Sequence, residues 1–355
     1  MAILTVKSGE KMRVNINEVI ARNEYAFLRE DVRLGASTIF LTLGGSHSYG
    51  TSREDSDIDV RGCAFGGVSD LLGLTSFEQV TDNATDTTVY SLNKLVRLLL
   101  ACTPNTIEML GGRAEDYVFF GEAGRVLIDN RALFLSRVAA KSFGGYVNQQ
   151  LRRLENALAR DSYPHAEKER HILGSCQSAM MSLNERYSAL PEGGIGLYIG
   201  KALGSELDGE ILADIHLEGY PLRDYKSIWA DLSNIVKDYG KLNQRNRKKD
   251  EPHLSKHMMH LIRLYMMGID ILERGEIVTY REREHELLMS LRNGEFLANG
   301  QTTPAFGELL HDYERRFEYA CENTALPEKP DFDAVNEMTI ELNRRHLAKS
   351  GREQV

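Results

Sequence analysis

The segment GGSHSYGTSREDSDIDVRG, from Gly44 to Gly62, constrains the fold more than any other part of the sequence. A β-rich apolar run, Ser37 to Leu43, precedes it and predicts a buried strand. The glycine pair lets the backbone come very close to a ligand, because glycine has no side chain. If a helix begins there, its free N–H groups and the Ser46 hydroxyl can hold phosphate oxygens. We therefore expect Gly44, Gly45 and Ser46 to bind a nucleotide.

The other end of the segment carries closely spaced carboxylates. Asp57 to Cys63 alternates charged and apolar residues, which predicts a second strand. Residues two apart in a strand point to the same side, so Asp57 and Asp59 are expected to converge on one location. Two carboxylates at this spacing suit Mg²⁺, or Mn²⁺, which prefer oxygen ligands. Taken alone, the same Asp-x-Asp pattern also fits a solvated edge strand.

A third carboxylate is needed to complete a two-metal site. The run DTTVY, Asp86 to Tyr90, is a third strand candidate, and Asp86 at its start is our choice, with Asp82 as the rival. One metal is expected to lower the pKa of an attacking hydroxyl, and the other to stabilise a pyrophosphate leaving group. Asp57, Asp59 and Asp86 are thus the predicted catalytic and metal-binding residues.

The rest of the chain is predicted to be mostly helical. Ser91 is expected to cap a helix that ends near Ala101, and Pro104 to begin another. The fold class is α+β, with a small mixed β-sheet catalytic domain over residues 1–120 and a helical domain over residues 121–355. The main later helix candidates are Arg125–Ala139, Gly145–Arg160, Ala166–Tyr187, Tyr225–Leu242, Leu254–Glu273 and Phe332–Ala348.

Composition limits the class of protein. The chain has 355 residues and a net charge of −9, so a nucleic-acid substrate needs a local basic patch. Its four cysteines lie far apart without a CxxC pair, which disfavours zinc and fits a reduced cytoplasmic setting. No apolar run approaches the roughly 18 residues of a membrane span, and the first residues do not form a signal peptide. Oligomeric state and base preference are left open.

Several motifs together resemble one family. The segment Gly44–Gly62 resembles the signature of the DNA polymerase β nucleotidyltransferase superfamily, and most closely its branch of predicted nucleotidyltransferases associated with bacterial and phage RNA repair. The resemblance is good over residues 38–112 and moderate over residues 254–296, and Thr103 departs from it where that branch has Asn. The matching residues are Gly44–Ser46, Tyr49–Thr51, Ser56–Asp59, Arg61–Gly62, Tyr90–Leu92, Lys94, Pro104–Asn105, Ile107–Leu110, Lys256, His257, His260, Arg263–Leu264, Leu272–Glu273, Gly275–Glu276 and Arg292–Glu295.

The resemblance implies roles for the residues that match. It implies that Gly45 and Ser46 bind the triphosphate, that Asp57 and Asp59 bind Mg²⁺, and that a third aspartate lies on a later strand of the same sheet. Asp86 satisfies the last condition better than Asp82, because it directly precedes the Tyr90–Leu92 match.

One late helix candidate, HMMHLIRLYMMGIDIL, is apolar nearly all round but carries a polar stripe. A buried helix of this kind either lines a cavity or pairs its charges internally. In the first case Lys256, His260 and Arg263 contact nucleotide phosphate or base. In the second case the lysine and arginine form a structural network with Asp270.

The predicted function is metal-dependent transfer of an NMP from an NTP to an acceptor hydroxyl, with release of pyrophosphate. From the resemblance, the first candidate for the acceptor is an RNA 3′ end, such as that of a tRNA-like molecule. A protein hydroxyl or a small molecule are the alternatives. A non-catalytic nucleotide-binding regulator on the same fold is disfavoured, because all three aspartates are present.

Overall fold

The computed structural model describes residues 14–162, 195–200, 210–245 and 251–350. The chain divides into two compact units, residues 1–152 with 255–355, and residues 153–254. These bounds differ from the functional division at residue 120, which stays a prediction. The helix expected over Ala166–Tyr187 lies outside the described residues.

The first unit is built on a five-stranded mixed sheet. Its strand order is β3-β4-β2-β1-β5, in which only the β2–β4 pair is parallel. The five strands are β1 (Thr38–Leu43), β2 (Val60–Ala64), β3 (Gln79–Asp82), β4 (Thr87–Ser91) and β5 (Tyr117–Phe119).

Helices surround this sheet. Ser91 caps α5 as predicted, since its Oγ accepts a hydrogen bond of 3.2 Å from the Lys94 backbone N–H. Pro104 begins α6, where the missing N–H costs nothing. The helices of the first half are α1 (Ile16–Ile20), α2 (Phe27–Glu30), α3 (Gly45–Tyr49), α4 (Val68–Leu72), α5 (Leu92–Leu100), α6 (Pro104–Ile107), α7 (Ala123–Asp129) and α8 (Val138–Ser162).

The later part of the chain is mostly helical, so the predicted α+β class is confirmed. In the second unit, β6 and β7 pair in antiparallel fashion. In the first unit, β8 and β9 form a second short pair. The elements of this part are β6 (Ile195–Gly200), β7 (Glu210–Ile215), α9 (Leu222–Arg245), α10 (Glu251–Arg274), α11 (His285–Arg292), β8 (Leu297–Ala298), β9 (Gln301–Thr302), α12 (Pro304–Asn323) and α13 (Phe332–Ser350).

Some predicted bounds were wrong. The helix expected over Arg125–Ala139 ends at Asp129, and a short 3-10 turn, Arg131–Phe134, separates it from α8. The long helix α12 was not predicted, although Pro304 stands at its first position. The strand expected from Asp57 begins only at Val60, because Gly44 turns into α3 and leaves β1 after a last bond from its N–H to the Asp59 carbonyl.

The sheet brings three strand ends to one edge. Leu43, the last residue of β1, pairs with Val60, the first residue of β2. Val60 in turn pairs with Thr87, the first residue of β4. One face of the sheet packs on a core that includes Ile16, Val19 and Leu41. The residues just beyond these strand ends therefore meet at a single place.

Candidate functional site

The two ends of the Gly44–Gly62 segment touch each other. The Gly44 N–H donates to the Asp59 carbonyl at 2.9 Å. Gly45 has a φ of +56°, and a Cβ built on it would lie 1.7 Å from Oδ2 of Asp59. Any side chain here would both strain the backbone and collide with the carboxylate. Glycine is required at this position so that Asp59 can lie against the start of α3.

Asp59 meets Asp86 beside it, and Arg61 holds both. The Arg61 guanidinium lies 3.2 Å from Oδ1 of Asp59 and 3.1 Å from Oδ1 of Asp86. It also donates to the backbone carbonyl of Asp86. Asp86 stands one residue before β4 with a φ of +44°, so it is not part of the strand. The two carboxylates therefore share one cationic side chain, the guanidinium of Arg61.

The electrostatics of this pair are strained. Burial and, after it, the hydrogen bond with Asp86 raise the pKa of Asp59 to about 7, against the opposing charges of Arg61 and Lys256. The same hydrogen bond lowers the pKa of Asp86 from its ordinary value. The two carboxyls thus share one proton near neutral pH. A divalent cation bound here would have to displace that proton.

The other two aspartates behave differently. Asp57 is exposed and precedes β2, so strand alternation does not orient it. Among the described residues, no group of three or more His, Cys, Asp and Glu is placed to hold a metal ion. Asp82 caps a turn, accepting from the Thr85 N–H at 2.8 Å. The structure thus brings Asp86 to Asp59, not Asp82, and leaves Asp57 apart from that pair.

Gly44, Gly45 and Ser46 form the start of α3, as expected. Gly44 is buried, while Gly45 and Ser46 are half-buried. The Ser46 carbonyl accepts from the Thr51 N–H at 2.9 Å, which closes the short helix. The hydroxyl of Ser48 donates to the Gly45 carbonyl at 2.9 Å. These bonds fix the backbone of the predicted phosphate cradle.

The polar residues of α10 were expected either to face a cavity or to pair internally, and different residues of the helix follow each alternative. Lys256 is exposed, and its charge lowers the pKa of both Asp59 and Asp86, so it faces the carboxylate pair. His260 is half-buried, and its Nδ1 lies 3.2 Å from the Arg263 guanidinium. Arg263 is fully buried and lies 3.0 Å from a carboxylate oxygen of Glu108. Asp270 pairs with Arg281, and with Arg274 at 3.5 Å, so the expected network of Arg263 with Asp270 was wrong in its partners.

Glu108, Tyr49 and Arg263 form a buried network that the sequence did not predict. The Tyr49 hydroxyl donates to Oε1 of Glu108 at 2.8 Å. The Arg263 guanidinium also stacks over the Tyr49 ring, 3.6 Å from its centroid. Burial raises the pKa of the Tyr49 hydroxyl, so it stays a donor. The network ties the last residue of α3 to Glu108, the residue that follows α6, and to α10, and so supports the predicted cradle.

Arg263 therefore contacts Tyr49 of α3, and Glu108 already balances its charge. Its predicted contact with nucleotide stays a prediction, but the observed pairing favours a supporting role. Arg61 was also missed as a site residue, although it is part of the family motif. Its role depends on the register of β2 with β4, which places Arg61 opposite Thr88.

A mixed sheet with a Gly-Ser turn and paired aspartates at one edge is the arrangement expected of a polymerase β-type nucleotidyltransferase. Residues 12–173 match the model of the family described as RlaP, RNA repair pathway DNA polymerase beta family. This match confirms the resemblance found over residues 38–112, whereas the motifs over residues 254–296 lie outside the matched range.

The wider comparisons add no further relative. No curated protein and no solved structure matches the chain. Among the described helices, none combines the length and apolar character that crossing a membrane requires.

Proposed function

We propose that this protein is a metal-dependent nucleotidyltransferase that moves an NMP from an NTP to an acceptor hydroxyl. The observation that carries the proposal is the contact between Gly45 and Asp59, with Asp86 alongside. It supports the proposal because it brings the turn proposed to bind phosphate against the carboxylates proposed to bind metal. The family match over residues 12–173 supports the same class of activity.

Two of the three proposed carboxylate ligands lie together, and we propose that they would hold a divalent cation. Asp59 and Asp86 supply adjacent oxygen ligands, and burial followed by the contact with Asp86 raises the pKa of Asp59, an effect that a bound cation would oppose. Asp57, exposed two residues earlier, is the third proposed ligand. When bound, Mg²⁺ or Mn²⁺ supplies positive charge that activates the acceptor hydroxyl and stabilises the leaving group.

The chain's own residues orient the substrate. Gly45 and Ser46 hold the outer phosphates, and Lys256 adds positive charge on the same side. The acceptor oxygen forms a bond to the α-phosphorus while the bond to pyrophosphate breaks in line. The lowered pKa of Asp86 keeps its side chain ionised, and the carboxylate accepts the proton of the acceptor hydroxyl. His260, on α10, is also proposed to contact the nucleotide.

The acceptor is proposed to be an RNA 3′ end, because the matching family is described as part of an RNA repair pathway. The net charge of −9 means that such an acceptor has to bind through a local basic surface. A protein hydroxyl or a small molecule are the alternatives that an experiment should separate.

The test is transfer of label. The protein is incubated with each α-labelled NTP, Mg²⁺ or Mn²⁺, and total RNA or lysate, and the label is followed into RNA, protein and small molecules. We expect label at RNA 3′ ends. No transfer to any acceptor with either metal would contradict the proposal.

The matched control is the double variant Asp57→Ala with Asp59→Ala. It should abolish transfer while its circular dichroism spectrum stays that of the unaltered protein. Unchanged activity would show that the assigned site is wrong, whatever the acceptor.

A further inference from the structure

Buried arginines in the first unit are generally paired with carboxylates. A buried charge is costly unless an opposite charge and hydrogen bonds compensate for it. Four partly or fully buried arginines follow this rule; their pairs are Arg61 with Asp59 and Asp86, Arg113 with Asp116, Arg263 with Glu108, and Arg281 with Asp270.

Arg53 and Arg292 depart from the rule. In the described ranges, neither guanidinium lies within 4.0 Å of a carboxylate oxygen. Arg53 donates to the Arg292 carbonyl and, at 2.9 Å, to Oδ1 of Asn293. Arg292 donates to the Ser56 hydroxyl at 3.2 Å, and the Arg53 N–H donates to the same oxygen at 2.8 Å. Within that part of the chain, two half-buried cations are therefore bound side by side to neutral groups only.

The hydrogen-bonding capacity of Arg292 is also incompletely used. Its Nε and Nη1 atoms are buried without a partner in the described structure. Burial and the neighbouring charge of Arg53 lower the pKa of Arg292, and the charge of Asp55 only partly offsets this. Such unbalanced cationic pairs are unfavourable by themselves and are found where an anion binds.

The pair lies next to the candidate site. Ser56, which both arginines contact, directly precedes Asp57. His47, the neighbour of Ser46, hydrogen-bonds to the backbone of Ser56 and lies within electrostatic range of Arg292. Arg53 thus belongs to the loop that joins the predicted phosphate cradle to the carboxylates, and Arg292 contacts that loop at Ser56.

We propose that Arg53 and Arg292 form a binding site for a phosphate group of the substrate. Planar guanidinium groups match phosphate oxygens through paired, charge-assisted hydrogen bonds. The phosphate comes either from the NTP or from the backbone of the acceptor strand. The identity of the substrate rests on the proposed function, but phosphate binding itself can be measured without catalysis.

The test compares the unaltered protein with the double variant Arg53→Gln, Arg292→Gln. Inorganic tripolyphosphate, ATP, adenosine and a single-stranded RNA oligonucleotide are each titrated by calorimetry. We expect roughly tenfold or greater loss of affinity for the phosphate ligand, as for loss of charge-assisted hydrogen bonds, and no change for adenosine. Lower affinity for tripolyphosphate and ATP identifies the NTP as the source of the phosphate. Lower affinity for RNA alone identifies the backbone of the acceptor strand as its source.

Two further variants keep the result interpretable. Arg53→Lys with Arg292→Lys keeps both charges and should retain part of the affinity, and Arg53→Gln alone serves if the double variant unfolds. Arg344→Gln with Arg345→Gln removes the same charge from the exposed surface of α13 and should change nothing.

Unchanged affinity for tripolyphosphate, ATP and RNA in the Arg53 and Arg292 variants would overturn the inference. The label-transfer assay separates this failure from that of the proposed function. If the protein transfers label but its affinity for phosphate does not depend on the two arginines, the proposed function stands and the proposed phosphate site is wrong. A protein that binds phosphate through them but transfers no label keeps the site and loses the function.

Discussion

Two polar clusters lie close together in the first unit, and they are built on opposite principles. In the Glu108–Tyr49–Arg263 network, one buried carboxylate meets one buried guanidinium, and a hydroxyl and an aromatic ring complete the contacts. In the Asp59–Asp86–Arg61 cluster, two carboxylates compete for one guanidinium and hold a shared proton. The first cluster is satisfied by the protein alone, whereas the second is neutral only while it holds a proton that a ligand cation can replace.

The charge balance of a polar cluster distinguishes residues that support a site from residues that act in it. A balanced buried cluster resists change, so its loss should appear mainly as lost stability. An unbalanced cluster costs stability, so its loss should appear mainly as lost binding and activity. Each of the following predictions tests one side of this comparison.

The largest effect is expected from Arg263→Ala. It leaves Glu108 as a buried carboxylate without its cation, which should lower the free energy of unfolding by about 3–5 kcal/mol. Urea unfolding followed by circular dichroism measures this. Arg315→Ala, which removes an exposed ion pair on α12, is the control and should have little effect. A loss equal to that of the control would mean that the network does not support the fold.

Asp59→Asn tests the unbalanced cluster. We expect transfer activity to fall by on the order of 100-fold, the scale of removing one electrostatic group from an active site. Stability should be unchanged or higher, because a desolvated carboxylate is removed. Label transfer and thermal unfolding of the same preparation give both values. A parallel loss of stability and activity would place Asp59 with the supporting network.

The pH dependence of the metal-free protein follows from the raised pKa of Asp59. The folded state keeps a proton on Asp59 up to about pH 7, whereas the unfolded state releases it near pH 4. The contribution of this group to stability is therefore fully present below about pH 4 and is lost as the pH rises through about 7. Divalent-ion affinity should rise up to about tenfold per pH unit below 7 and then level off.

Calorimetry with Mn²⁺ between pH 5.5 and 8.5 measures that slope and the proton released on binding. Asp59→Asn should remove both. A flat profile for the unaltered protein would show that the carboxylate pair does not hold the proton.

The smallest effect is expected from Tyr49→Phe. It removes one hydrogen bond to Glu108 but keeps the ring under Arg263, so we expect a loss of about 1 kcal/mol in stability. Nucleotide affinity should change little, because the backbone of α3 is also held by the bond from Thr51. A large loss of affinity would mean that the hydroxyl itself positions the cradle.

Local patterns predicted the parts of the fold that depend on neighbouring residues. The apolar run of β1, the Ser91 cap and the contact of Gly45 with the aspartate segment were all readable from short stretches. The alternation of Asp57 and Asp59 predicted a strand from Asp57, which was wrong. The strand begins at Val60, so strand geometry does not orient the two aspartates before it.

The supporting network could not be predicted in the same way. Tyr49 and Glu108 are separated by 59 positions and Glu108 and Arg263 by 155, so no periodicity links them. Within its own helix, a buried arginine in an apolar stripe looks the same whether its partner is a ligand or a distant glutamate. Only the fold, which brings Glu108 to Arg263, decides between the two.

The long separation of Glu108 from Arg263 has a consequence for how the protein is made. At roughly 5–20 residues per second, a ribosome takes about 8–31 s to reach the arginine after it has added the glutamate. During that interval the emerging sheet already has its cradle and its aspartates but lacks the cation that neutralises Glu108. A nascent chain stalled before α10 should therefore be sensitive to protease around Tyr49, and should become resistant once the helix leaves the exit tunnel.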